Sequence, residues 1–170
     1  MRSTIMNALS DLVKAGEPVH LLTGDLGFGL MKDYMSDHPA HFTNVGVSEA
    51  NMIGVAAGMA ATGIRPFCYS MVPFVFMRAF EQVRMDLCVD EMPVTLIGVG
   101  GGLVYGNEGP SHFAIEDLAM ARALPHLTTI CPGDPWEAKA AVKMAMAADG
   151  PTYIRIGRNN DPAVLEGPVE

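Results

Sequence analysis

Short apolar runs alternate with longer stretches of helical period along the whole chain. Val19 to Thr23, Thr43 to Val47, Pro66 to Ser70, Val94 to Val99, Thr128 to Cys131 and Thr152 to Ile156 read as strands, each bounded by Gly, Pro or Asp. Between and before them, residues 3–15, 29–37, 49–62, 74–89, 114–123 and 134–148 read as helices. Strands separated by helices need crossover connections, which favour parallel pairing with both sheet faces covered. The pattern therefore predicts an α/β fold of three layers, α/β/α, around a mainly parallel six-stranded sheet. No internal repeat or low-complexity stretch interrupts it.

Composition narrows the function classes. The 170 residues are 49% hydrophobic and 18% charged, enough apolar material for a sizeable core and too much for a disordered chain. Eleven basic against nineteen acidic residues give a net charge of −8, which disfavours a general grip on nucleic-acid phosphates. No apolar run reaches the ~18 residues that a membrane-spanning helix needs, and the first residues lack a signal peptide's apolar region, so a soluble, cytoplasmic protein is expected. Three cysteines without CxxC spacing, Cys68, Cys88 and Cys131, predict reduced, buried thiols. The domain is expected to span residues 1–158, with 159–170, rich in Pro, Asn and acids, as a tail or a linker cut short.

The chemistry-bearing candidates cluster after the predicted strands. In Val45-Gly-Val-Ser-Glu-Ala-Asn-Met-Ile-Gly-Val-Ala-Ala-Gly, Ser48 is placed to cap a helix and Glu49 falls in its first turn, where the helix dipole favours a carboxylate. Gly54 and Gly58, with Ala50, Ala57 and Ala61 nearby, predict a low-bulk face that another helix or a flat ring can approach. Glycine clusters at 24–29 and 98–109 follow strands, where open parallel sheets place ligand loops, but neither has a nucleotide-binding spacing. His112 lies at the end of the second loop, and the five histidines offer no zinc-binding pair. Phe76 and Phe80, four apart, suit either the core or a stack on a heterocycle.

Four blocks in order, VSEANMIGVAAGMA, YSMVPFVFMRAFEQVRMDL, GNEGPSHFAIEDLAMARALPHLTTICPGDPWEAKAAV and PTYIRIGR, resemble the pyrimidine-binding domain of transketolase and its thiamine diphosphate relatives. The resemblance spans residues 2 to 158 and implies the pyrimidine-type thiamine diphosphate-binding fold. It implies that Glu49 bonds the ring nitrogen of the cofactor's aminopyrimidine and favours the imino tautomer that removes the thiazolium proton, which calls for a buried Glu49 that is protonated or strongly hydrogen-bonded. Phe74 or Phe76 then stacks under the pyrimidine. His112 matches a histidine facing the substrate, Arg158 an arginine that binds a sugar phosphate, and Asp25 an acid near the cofactor at a subunit contact.

Departures from the family pattern temper the substrate. Glu108 stands where transketolases carry Asp, a substrate-contacting histidine is replaced by glycine near Gly100, and a phosphate-binding serine by glycine near Gly29. The GDG…Asn motif with which the family holds diphosphate and Mg²⁺ is missing, as is the usual third domain. The resemblance therefore implies a split enzyme, silent alone, whose partner chain binds the diphosphate and magnesium, in a heterotetramer or through self-dimerisation of the site-forming face. The expected reaction transfers a two-carbon ketol or acyl unit from a ketose or 2-oxo acid. A beta-type subunit of a 2-oxoacid dehydrogenase or decarboxylase, or a noncatalytic module that kept the fold, are the alternatives.

Overall fold

A computed structural model describes residues 1–158 and 161–169. Six strands, β1 (Val19–Thr23), β2 (Phe42–Asn44), β3 (Arg65–Met71), β4 (Thr95–Val99), β5 (Thr128–Ile130) and β6 (Thr152–Ile156), form one sheet in the order β2-β1-β3-β4-β6-β5. Every adjacent pair is parallel, for example Leu22↔Cys68 and Ile97↔Ile154. Because side chains alternate across a strand, neighbouring residues feed opposite faces. Leu21, Phe67, Ile97 and Ile154 join one apolar cluster with α1 (Arg2–Lys14), α2 (Phe28–Asp37) and α6 (Pro135–Ala147). Leu22, Cys68, Leu96 and Tyr153 join a second with α3 (Glu49–Ala60) and α5 (Asp117–Ala123). The three expected layers are present, and the sheet is parallel throughout.

Several expected boundaries move. The second strand ends at Asn44 instead of Val47, because Gly46 takes φ +76 and turns the chain. The fifth helix begins at Asp117 and not at 114, since Ala114 pairs with Gly102 in an isolated antiparallel bridge. The continuous helix expected over 74–89 is instead two π-helical segments, Pro73–Arg78 and Val83–Val89, joined through a single α turn, α4 (Phe80–Gln82). Its buried positions Val75, Ala79, Val83 and Leu87 recur every four residues. In a regular α-helix such a series drifts about 40° per step, so wider turns are needed to keep all four facing the sheet.

Burial holds the thiols of Cys68 and Cys88 above their ordinary range, Cys88 at about 11. Cys131 departs from expectation: it follows the short edge strand β5 and is exposed. At the start of α6, Asp134 caps the helix through its Oδ1, which accepts the Glu137 amide at 2.9 Å. Its Oδ2 accepts the amides of Val164 and Leu165 at 3.0 and 2.9 Å, so residues 164 and 165 are tied to the domain. Asn159, Asn160 and Glu170 of the expected tail lie outside the described residues. No helix among the described residues is long and apolar enough to cross a membrane.

Candidate active site

All the candidate side chains follow the carboxyl ends of strands. Chain order reverses between β1 and β3, which opens a crevice beyond their ends, the usual ligand position in an open parallel sheet. Gly24 and Asp25 follow β1, Glu49 follows β2, Phe74 follows β3, the 100–112 loop follows β4, and Arg158 follows β6.

Glu49 opens α3 and is 1% exposed. Ser70 donates its hydroxyl to Glu49 Oε1 at 3.0 Å, and Arg78 Nη1 donates to Oε2 at 3.3 Å. A buried carboxylate needs such partners, because removing an unpaired charge from water costs several kcal/mol. Gly24 makes room for it: a Cβ there would lie 2.9 Å from Oε1. Ser48 occupies the expected cap position, yet its exposed side chain makes no capping hydrogen bond; only its backbone carbonyl engages, accepting the Met52 amide.

The two phenylalanines separate clearly. Phe76 is fully buried and stacked on Tyr153, with centroids 4.6 Å apart and planes 10° apart, so its ring is committed to the core and not available as a ligand platform. Phe74 is half-buried, with Arg78 4.4 Å over its ring centroid and His112 edge-on at 5.3 Å. Phe80 meets Phe76 edge-on at 6.0 Å and belongs to the same packed group.

Two hollows meet at the Phe74–His112 contact. One, of about 500 Å³, is lined by Phe74, Met77, Arg78, Ser111 and Phe113. The other, of about 290 Å³, is lined by Arg2, Tyr69, Tyr105, Glu108, His112 and Arg158. His112 Nδ1 lies 2.9 Å from Ser111 Oγ, while Arg158 lies 4.7 Å over the Tyr105 ring and 3.5 Å from Glu108 Oε1. Burial pushes the Tyr69 phenol up to about 12, against the pull of Arg2. Arg2 was not among the sequence candidates: it sits in an unremarkable helix start, and no spacing marks it. In the fold it lines the same hollow as Arg158, and its buried Nε has no hydrogen-bond partner.

Asp25 stands apart from this group. It is exposed at φ +61, with its backbone amide and its carboxylate both bonded to Asn44. Gly100, at φ +91, lies against Tyr105, whose ring a Cβ at that position would overlap. Gly29 has open space around it. No group of three or more His, Cys, Asp or Glu among the described residues is arranged to hold a metal ion.

The profile of one family, described as Transketolase, pyrimidine binding domain, matches residues 1–162. The chain belongs to the transketolase pyrimidine-binding family. Among its relatives, one of the two subunit types of the apulose-4-phosphate transketolase of Phocaeicola vulgatus is 30% identical over 97% of this chain and 53% of its own length. A putative transketolase C-terminal section of Methanocaldococcus jannaschii is 33% identical over 100% of this chain and 54% of its own. The SqwH subunit of the 6-deoxy-6-sulfo-D-fructose transketolase of a Clostridium species is 34% identical over 96% and 51%. The chain thus spans about half the length of these relatives. Among solved structures, one described as a split gene transketolase, inactive beta4 tetramer, shares 34% identity and a TM-score of 0.87 over 99% of this chain and 55% of its own. The transketolase pyrimidine-binding fold therefore accounts for both the sheet and the position of Glu49 at its crevice.

Proposed function

We propose that this chain is the pyrimidine-binding subunit of a split transketolase-like enzyme that uses thiamine diphosphate. The observation that carries the reading is the buried carboxylate of Glu49, hydrogen-bonded by Ser70, given room by Gly24 and set beside the half-buried ring of Phe74. That combination fits an aminopyrimidine: an acid for a ring nitrogen, an aromatic face for the ring, and a glycine where bulk would block the acid. The bound cofactor supplies carbanion chemistry at a carbonyl carbon.

The chain's own residues divide the remaining tasks. Glu49 holds a proton at the ring-nitrogen position, in a water-poor site where a positioned acid or base contributes about 10²- to 10⁴-fold in rate. Phe74 orients the ring by stacking, as Phe76 cannot. His112, which touches Phe74, is placed to hold or move a proton at the substrate's oxygen. Arg2 and Arg158 supply two guanidinium groups to the adjoining hollow, with Glu108 orienting Arg158. They favour a donor or acceptor with an anionic end, and they offset the loss of family phosphate contacts at Gly29 and Gly100. Asp25 belongs to the rim facing the partner.

The diphosphate and Mg²⁺ are assigned to a partner chain, because Mg²⁺ requires a near-octahedral set of oxygens and the described residues offer no metal-holding cluster. Relatives described as an enzyme subunit, a C-terminal section and a split gene product support division between chains. The proposed reaction is transfer of a two-carbon ketol or acyl unit from a ketose or 2-oxo acid. The test is reconstitution with the diphosphate-binding partner and magnesium. Glu49→Gln should lower kcat at least 100-fold while the melting profile of the subunit is retained, and equal turnover by that variant would remove Glu49 from the mechanism.

A further inference from the structure

Arg78 already makes both contacts that the proposed pyrimidine seat would offer a ligand. Its planar guanidinium lies 4.4 Å over the Phe74 centroid and donates to Glu49 Oε2 at 3.3 Å. Phe74 has one exposed face to give and Glu49 one carboxylate, so a flat heterocycle and this guanidinium cannot use both at once. We propose that Arg78 is a removable occupant of the pyrimidine seat, a flat cation that holds Phe74 and Glu49 in register and must swing out for a heterocycle to dock. The proposal rests on the assignment of Glu49 and Phe74 to the pyrimidine made above.

Three observations support a side chain that can leave. Arg78 is 51% exposed although its partner Glu49 is 1% exposed, so it reaches the acid from solvent and is not part of the core. The guanidinium also borders the 500 Å³ hollow, which gives it somewhere to go. Helical geometry breaks immediately after it, at Ala79 with φ −94 and ψ 19, so the end of the first π-helical segment is not clamped by a continuing helix.

The arrangement also explains why the seat tolerates a buried acid. Without a cation, a carboxylate at this depth would rely on Ser70 alone. Arg78 supplies the second donor and the compensating charge, and a heterocycle carrying its own donor takes over that function when it docks. The energetic consequence is a competition: apparent affinity for the ring falls by the fraction of chains in which the seat is open. If the guanidinium holds the seat in about 80 to 90% of chains, its removal tightens ring binding roughly five- to tenfold.

The test titrates the cofactor's pyrimidine fragment, 4-amino-5-hydroxymethyl-2-methylpyrimidine, into the full chain and follows binding by NMR, alongside thermal melting. Arg78→Ala should bind the fragment about five- to tenfold more tightly and melt at lower temperature than the parent. Arg78→Lys, which keeps the charge but cannot lie flat on the ring, should melt near the parent and fall between the two in affinity, so the proposal remains testable even if Arg78→Ala folds poorly. Glu49→Gln in the Arg78→Ala background should recover melting temperature, because the uncompensated charge is gone. Weaker or unchanged fragment binding by both arginine variants, with binding still lost in Phe74→Ala, would overturn the displaced-occupant role while leaving the seat intact. Fragment binding that survives both Phe74→Ala and Glu49→Gln, or that is absent from the parent and every variant, would overturn the seat assignment itself and the proposal with it.

Discussion

Gly24 and Glu49 set limits on each other. A methyl group at Gly24 would lie 2.9 Å from Glu49 Oε1, 3.2 Å from Cδ and 3.3 Å from Cγ, so three atoms of one side chain would have to move. The carboxylate is bonded on both oxygens and cannot move without breaking with Ser70 or Arg78. Gly24→Ala should therefore destabilise the chain by about 1 to 3 kcal/mol, the usual cost of overpacking a filled site, and should disable the reconstituted enzyme more than that loss explains. Urea unfolding of the subunit and kcat of the assembly, measured side by side, check both halves. The role of Glu49 was legible in the sequence because its position in the first turn of a helix after a strand, inside a recognisable block, left few choices. Arg2 was not legible: its only distinction is a tertiary one, a buried Nε opposite Arg158 across a hollow that no linear spacing announces.

At the scale of elements, the start of α6 carries a titratable latch. Burial by itself would raise the Asp134 carboxyl, but the backbone amides of Glu137, Leu165, Val164 and Trp136 outweigh it and hold the group below its ordinary value of 3.8. A depressed carboxylate contributes stability that is complete above its unfolded value and is lost as pH falls through the folded one. The 164–165 segment should therefore loosen from α6 in the window below pH 3.8. Trp136, the chain's single tryptophan, stands two residues from the latch and reports the change. Its fluorescence should shift over that window in the parent and lose the shift in Asp134→Ala; identical titrations would exclude the latch.

The six strands themselves were readable because parallel strands buried on both faces appear as unbroken apolar runs closed by Gly, Pro or Asp. What the runs hid was local geometry. The series Val75, Ala79, Val83, Leu87 carries its four-residue period openly, yet only the fold shows that the chain answers it with wide turns instead of drifting off the sheet. Cys131 misled for a similar reason: an apolar residue at a strand end reads as core, whereas β5 is a short edge strand whose end is open.

Across the whole molecule, α3 presents two sides of different character. Met52, Ile53 and Ala56 are buried against the sheet, while Asn51, Gly54, Val55 and Gly58 are exposed, and Met85 and Val89 of the second π-helical segment are exposed as well. Nothing lies within 4 Å of a Cβ built on Gly58. Within the subunit alone, Gly58→Ala should stabilise by up to about 1 kcal/mol, since glycine is a poor helix residue. If this small-residue side is the one a partner covers, the same change should weaken assembly with the diphosphate-binding chain. Thermal melting of the subunit and light-scattering mass of the mixture would separate the two effects, and stronger or unchanged assembly would place the partner elsewhere.

The common direction of the strands has a practical consequence. Each crevice loop leaves the same rim of the sheet, and the exposed Glu17, Asp90 and Asp149 occupy the turns on the other. Once the exposed Cys131 is replaced by serine, a cysteine introduced at Glu17 would anchor the subunit to a sensor chip with its catalytic rim pointing into solution, where candidate partners can be flowed across it.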